Sequence, residues 1–155
     1  MAASVPSIGS LAPDFTLNTT SGAAVTLSAL RQKQHVLLAF FPAAFTGVCT
    51  DEVCAFSEDF DAFASKDVLV LPISVDNVPS LKEFKAKHGM RVDLASDFKR
   101  EVSTAYGVLL PAFLSTRAYF LIDKTGVVRW AFVEETPGTR RQNAEILAEI
   151  AKLAG

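Results

Sequence analysis

The stretch His35-Val36-Leu37-Leu38-Ala39-Phe40-Phe41-Pro42-Ala43-Ala44-Phe45-Thr46-Gly47-Val48-Cys49 decides how the chain is read. After His35 the run is continuously apolar to Phe41, the pattern of a strand buried on both faces of a sheet. Pro42 ends it, because proline has no N–H to give a ladder. A helical pattern starts around Thr46, with Val53, Phe56, Phe60 and Phe63 recurring at steps of three and four residues. A buried strand, a short loop and a helix place Cys49 in the first helical turn. That is the carboxyl end of a strand, where open α/β sheets bind ligands.

Working outward, Ala12–Leu17 and Ala24–Leu27 read as short strands around a turn at Ser21-Gly22. Val68–Val75 is a second buried strand, with Pro72 inside it. Ser80–His88 is a charged helix capped by Gly89, and Phe98–Tyr106 a short helix closed by Gly107. Arg117–Ile122 and Val127–Val133 form a hairpin around Asp123-Lys124-Thr125-Gly126. Arg141–Leu153 is a closing helix, with Ile146, Leu147, Ile150 and Leu153 at helical spacing. The order β-β-β-α-β-α-α-β-β-α predicts an α/β fold: a mixed central sheet with helices on both faces, in thioredoxin-like order.

Composition narrows the function. The chain has 155 residues, half of them hydrophobic, enough for one domain with a sizeable core over 1–155. With 15 Lys plus Arg against 17 Asp plus Glu, the net charge of −2 and the lack of a basic block argue against nucleic acid. No apolar run approaches the roughly 20 residues that span a bilayer, so no membrane partner is expected. The N-terminus MAASVPSIGS has no signal-peptide pattern, and the expectation is a soluble cytoplasmic protein. Two cysteines, Cys49 and Cys54, are too few for a disulfide scaffold, and His35 and His88 are too far apart to suggest a zinc site. Both histidines read as surface residues, at a strand start and a helix end.

Each cysteine then needs its own account. The free N–H groups and positive dipole end of a helix favour a thiolate, the nucleophilic form of the side chain. Cys49 therefore reads either as a nucleophile or as a small buried hydrophobe. Cys54 lies in the apolar stripe beside Val53 and Phe56. Four residues separate the two cysteines, so they are not a CxxC reductase motif.

Pro42-x-x-x-Thr46-x-x-Cys49 matches the peroxiredoxin signature PxxxTxxC at each defined position. Three further blocks occur in the family's order. Gly9-Ser10-Leu11-Ala12-Pro13-Asp14-Phe15 resembles its opening. Ala95-Ser96-Asp97 with Tyr106-Gly107-Val108 resembles its middle block, and Arg117-x-x-Phe120-x-Ile122-Asp123-x-x-Gly126 its later one. The chain therefore resembles the peroxiredoxins. The string Ala44-Phe45-Thr46-Gly47-Val48-Cys49 is similar to the alkyl hydroperoxide reductase E branch, and the spacing of Cys54 to the Q-type branch.

The resemblance implies a thiol peroxidase that reduces hydrogen peroxide and organic hydroperoxides without metal, haem or other cofactor. It makes Cys49 the peroxidatic cysteine, oxidised to a sulfenic acid. Thr46 would bond the thiolate and the peroxide. Pro42 would shield the sulfur. Arg117 would stabilise the thiolate and hold the peroxide oxygens, with Glu52 orienting it. The N–H groups of Val48 and Cys49 would complete the cradle. Plain structural roles stand beside these: Thr46 as an N-cap, Glu52 as a complement to the helix dipole, Arg117 as an edge charge and Pro42 as a strand end. Phe41, Phe45 and Phe113 are expected at the pocket mouth.

Cys54 would resolve the sulfenic acid as an intramolecular disulfide, recycled by a thioredoxin-like donor. Along a helix the two Cα atoms stand about 8–9 Å apart, whereas a disulfide needs roughly 4.4–6.8 Å, so the helix must unwind first. The alternatives are a one-cysteine enzyme resolved by an external low-molecular-weight thiol, and a thioredoxin-like redox sensor that binds a partner. The resemblance is to branches of monomers or dimers, and the hydrophobic fraction favours a homodimer over a monomer.

Overall fold

A computed structural model describes residues 5–111, 114–136 and 138–154. Seven strands form one mixed sheet: β1 (Thr16–Thr19), β2 (Ala24–Thr26), β3 (His35–Phe40), β4 (Val68–Ser74), β5 (Ala95–Ser96), β6 (Ala118–Ile122) and β7 (Val128–Val133). Their order across the sheet is β2-β1-β5-β4-β3-β6-β7. The central pairs β3/β4 and β4/β5 are parallel, and β6 and β7 add antiparallel strands beside β3. The helices are α1 (Gly47–Glu58), α2 (Phe60–Ala64), α3 (Val78–His88), α4 (Glu101–Ala105) and α5 (Asn143–Ala151).

Alternation along the strands divides the core in two. Leu37, Ala39, Phe41, Val70, Tyr119 and Leu121 face a cluster with Val53 and Phe56 of α1, Phe63 of α2, Phe84 of α3 and Ile146 of α5. Leu38, Phe40, Ile73 and Phe120 face the other side, covered by Phe15, Leu27 and, around α4, Val102 and Tyr106. The mixed sheet with helices on both faces is the expected architecture.

Pro72 sits in central β4 without breaking it. The Ile73 carbonyl accepts the Phe41 N–H on the β3 side. Pro72 next to it therefore turns its backbone to the other side, where β5 begins only opposite Ile73.

Several element bounds differ from the sequence reading, each for a local reason. The first strand starts at Thr16 rather than Ala12. Asp14 Oδ1 accepts the N–H of Phe15 and of Ser28 at 2.9 and 2.8 Å and holds this segment as a turn. The helix expected from Phe98 starts at Glu101. Arg100 has φ 64°, and the Asp97 carboxylate accepts the N–H groups of Val102 and Ser103 instead of a helical turn doing so. The stripe from Val53 to Phe63 lies on two helices. The chain turns at Asp59, whose Oδ2 and the Ala55 carbonyl both accept from Asn143 Nδ2. The last helix starts at Asn143 rather than Arg141, whose N–H is given to Tyr119 Oη at 2.9 Å. β5 has two residues and no periodicity to reveal it. The Ser115 hydroxyl, fully buried, donates to the Phe41 carbonyl at 3.0 Å and fixes the end of the strand that leads into the Cys49 loop.

Candidate active site

The loop between β3 and α1 carries Pro42, Phe45 and Thr46. It is tied to the end of β4 by Asp76, whose Oδ2 accepts the Ala44 N–H at 2.8 Å and the Ser74 hydroxyl at 2.7 Å. Phe45 has φ 67°, in the left-handed region that a bulky residue rarely takes. Its ring is 49 % exposed and packs on Phe84 with centroids 5.0 Å apart. Phe41 is fully buried in the core, so it does not line the pocket mouth as expected. Phe113 lies outside the described residues.

Cys49 follows in the first turn of α1, with a free thiol only 1 % exposed. Arg117 reaches it from the residue before β6, with Nη2 3.2 Å from Sγ. The same guanidinium donates from Nη1 to Glu52 Oε1 at 3.0 Å. Glu52 is fully buried on α1, one turn after Cys49. Arg117 is therefore no edge charge and Glu52 no surface complement to the helix dipole. Burial opposes the Arg117 charge, but Glu52 and the sulfur outweigh it and raise its ionisation above the ordinary arginine value. Burial pushes the Glu52 carboxyl up, against the opposing pull of Arg117 and of the Tyr119 hydroxyl.

Thr46 is the residue before α1, but its side chain makes no capping bond. Its hydroxyl donates to the Ala43 carbonyl at 2.8 Å, and its own carbonyl accepts the Thr50 N–H and hydroxyl at 2.9 and 2.7 Å. Pro42 and Val48 are half-buried. Cys54 is half-buried against the core on the same unbroken helix. Burial, then the charges of Glu58 and Asp51, push its thiol up.

Tyr119 was not singled out from the sequence. Its hydroxyl donates to Glu52 Oε2. The signal was its place two residues after Arg117, on the same side of a strand. A surface cavity of about 450 Å³ is bordered by Thr16, Asn77, Asp97 and Phe98, and Cys49 is not among its lining residues.

The AhpC/TSA family model matches residues 8–131, most of the chain and the whole of this constellation. The chain belongs to the AhpC/TSA family. Among its relatives is the alkyl hydroperoxide reductase E of Mycobacterium tuberculosis, 37 % identical over 138 residues, covering 87 % of this chain and 90 % of that protein. The chloroplastic peroxiredoxin Q of Oryza sativa subsp. japonica is 38 % identical over 126 residues, 80 % of this chain and 58 % of that protein. Among solved structures, the reduced 2-Cys peroxiredoxin of Plasmodium vivax superposes with a TM-score of 0.89 at 32 % identity, covering 96 % of this chain and 83 % of that one. Family membership bears out the peroxiredoxin resemblance and the thioredoxin-like fold. No helix among the described residues is long and apolar enough to cross a membrane.

Proposed function

We propose that Cys49 carries the reaction of this thiol-dependent peroxidase. The observation behind this is a sulfur held 3.2 Å from a buried guanidinium at the first turn of a helix. Both the permanent charge and the helix N-terminus stabilise a thiolate. The thiolate attacks the terminal oxygen of a hydroperoxide, the O–O bond breaks, and the leaving alkoxide or hydroxide takes a proton to become alcohol or water. Cys49 is left as a sulfenic acid. Arg117 stabilises the charge that moves onto the leaving oxygen. The Thr46 hydroxyl donates its hydrogen bond to the Ala43 carbonyl, so its oxygen offers lone pairs to the peroxide O–H. In this reading the Val48 and Cys49 N–H groups at the start of α1 complete the peroxide cradle, and Pro42 shields the sulfur. The substrates in this reading are hydrogen peroxide and organic hydroperoxides, and the whole chain, 1–155, acts as one domain around the sheet.

Cys54 then condenses with the sulfenic acid, forming an S–S bond and releasing water, and a thioredoxin-like dithiol reduces the disulfide. Both cysteines lie on one continuous helix, so α1 must unwind between them. A second reading, resolution by an external low-molecular-weight thiol, is favoured by the upward shift of Cys54, which holds it as a thiol. Either route needs a thiol donor and hence a reducing compartment such as the cytoplasm. Phe45, Leu110 and Leu114, all more than a third exposed, are apolar surface that a second copy would cover in a homodimer.

The test is peroxide consumption by wild type and by Cys49→Ser in the presence of a dithiol. Loss of turnover in the variant supports the reading; unchanged turnover sinks it. Mass spectrometry of the Cys49–Cys54 disulfide after one equivalent of peroxide separates the two recycling routes.

A further inference from the structure

The carboxylate of Glu52 is held at both oxygens, and by different donors. Arg117 Nη1 takes Oε1, while the Tyr119 hydroxyl takes Oε2. This division matters because arginine and carboxylate pair most readily as a two-pronged fork, with two parallel N–H···O bonds. A full fork between Arg117 and Glu52 would use both terminal nitrogens on the carboxylate and draw Nη2 away from the sulfur. In the structure Nη1 goes to Glu52, and Nη2 stands at Cys49 Sγ.

We propose that Tyr119 is a positioning residue of the peroxidase site: by occupying Glu52 Oε2 it prevents a two-pronged Arg117–Glu52 pair and leaves Nη2 for the sulfur and the bound peroxide. The proposal rests on the reading of Cys49 as the peroxidatic thiol.

The orientation of the phenol is itself fixed. Tyr119 Oη accepts the Arg141 N–H at 2.9 Å, so its own O–H is directed at Glu52. Arg141 is held in turn by the buried Glu134, with Nε and Nη2 donating at 2.8 and 3.3 Å. Tyr119 is fully buried, and burial together with the Glu52 charge raises its ionisation, so the proton stays on the phenol as donor. The groups that act on Glu52 are therefore Arg117 from the residue before β6, Tyr119 from β6 and Arg140 from the segment before α5. The Glu134–Arg141 pair stands behind Tyr119.

The test is Tyr119→Phe, which removes one oxygen and keeps the ring. Alkylation of Cys49 by iodoacetamide across pH reads the thiolate without any peroxide, and stopped-flow gives the peroxide rate. The expected result is a Cys49 alkylation profile displaced to higher pH and a peroxide rate about tenfold lower, with a lower melting temperature because the Arg141 N–H loses its acceptor. In a Glu52→Gln background, where no carboxylate remains to form the fork, Tyr119→Phe should have no further effect. An unchanged alkylation profile, or the same loss in both backgrounds, overturns the proposal. A displaced profile in a protein that fails to consume peroxide would instead sink the peroxidase reading and leave the positioning role standing. If Tyr119→Phe does not fold, proton NMR of the wild type decides. A slowly exchanging phenolic proton that responds to acidification of Glu52 supports the proposal, and its absence overturns it.

Discussion

Arg117 Nη2 stands 3.2 Å from Cys49 Sγ across 68 residues of sequence, and both side chains are 1 % exposed. Little water screens this pair, so the charge acts on the sulfur more strongly than it would at a surface. Replacing Arg117 by alanine is expected to lower the second-order rate with hydrogen peroxide by about 100- to 1000-fold, the scale of losing a positioned donor at developing charge. Lysine should recover only part of that, because a point charge cannot serve Glu52 and the sulfur at once. Stopped-flow mixing of each variant with peroxide measures both.

Glu52 links this chemistry to stability. Its partner is a buried arginine, so Glu52→Ala leaves an uncompensated charge in the core, at a cost of about 3–5 kcal/mol. The carboxyl is raised above its ordinary value of 4.5, with burial the main cause. Between those two values the native state holds a proton that the unfolded chain has released. Stability should therefore fall as pH rises through that interval. Glu52→Gln should flatten the slope. Urea unfolding curves between pH 4 and pH 7 test the sign.

Cys54 should respond to pH in the opposite sense from a poised nucleophile. Burial and the charges of Glu58 and Asp51 hold it as a thiol, so its thiolate fraction at neutral pH is smaller than that of an ordinary cysteine. After oxidation of Cys49, disulfide formation should accelerate as pH rises into the alkaline range. Cys54→Ser should keep the first peroxide reaction and lose the disulfide. Time-resolved alkylation and mass spectrometry measure the rate.

Asp76 holds the loop ahead of the cysteine through Ala44 and Ser74. Asp76→Ala removes an acceptor from a backbone N–H and should cost about 1–3 kcal/mol. It should also lower the peroxide rate while leaving substrate saturation in the same range, since the loop positions Thr46 rather than binding bulk substrate. Thermal unfolding and steady-state kinetics check the two effects.

The reach of the sequence follows from which physical signals are local. A buried strand ended by Pro42 and followed by a helical stripe is a local pattern, and it put Cys49 in a first helical turn just after the loop that carries Pro42 and Thr46. Arg117 and Glu52 came from the family resemblance; single charged residues carry no periodic sign of burial. Tyr119 escaped notice because a tyrosine in an apolar strand reads as core, and only the three-dimensional packing shows its hydroxyl at Glu52. The misplaced element ends share one cause. At Asp14 and Asp97 a side chain accepts backbone N–H groups, and beside Asp59 the Asn143 side chain donates to the Ala55 carbonyl, none of which hydrophobic periodicity registers.

The most direct measurement is the second-order rate of hydrogen peroxide with reduced wild type, Cys49→Ser and Cys54→Ser, with trapping of the sulfenic acid by dimedone. The expected outcome is fast reaction and a dimedone adduct on Cys49 in wild type and Cys54→Ser, and neither in Cys49→Ser. A Cys49→Ser protein that consumes peroxide as fast as wild type, or a trapped adduct found on Cys54 alone, would contradict the assignment of Cys49 as the reacting thiol.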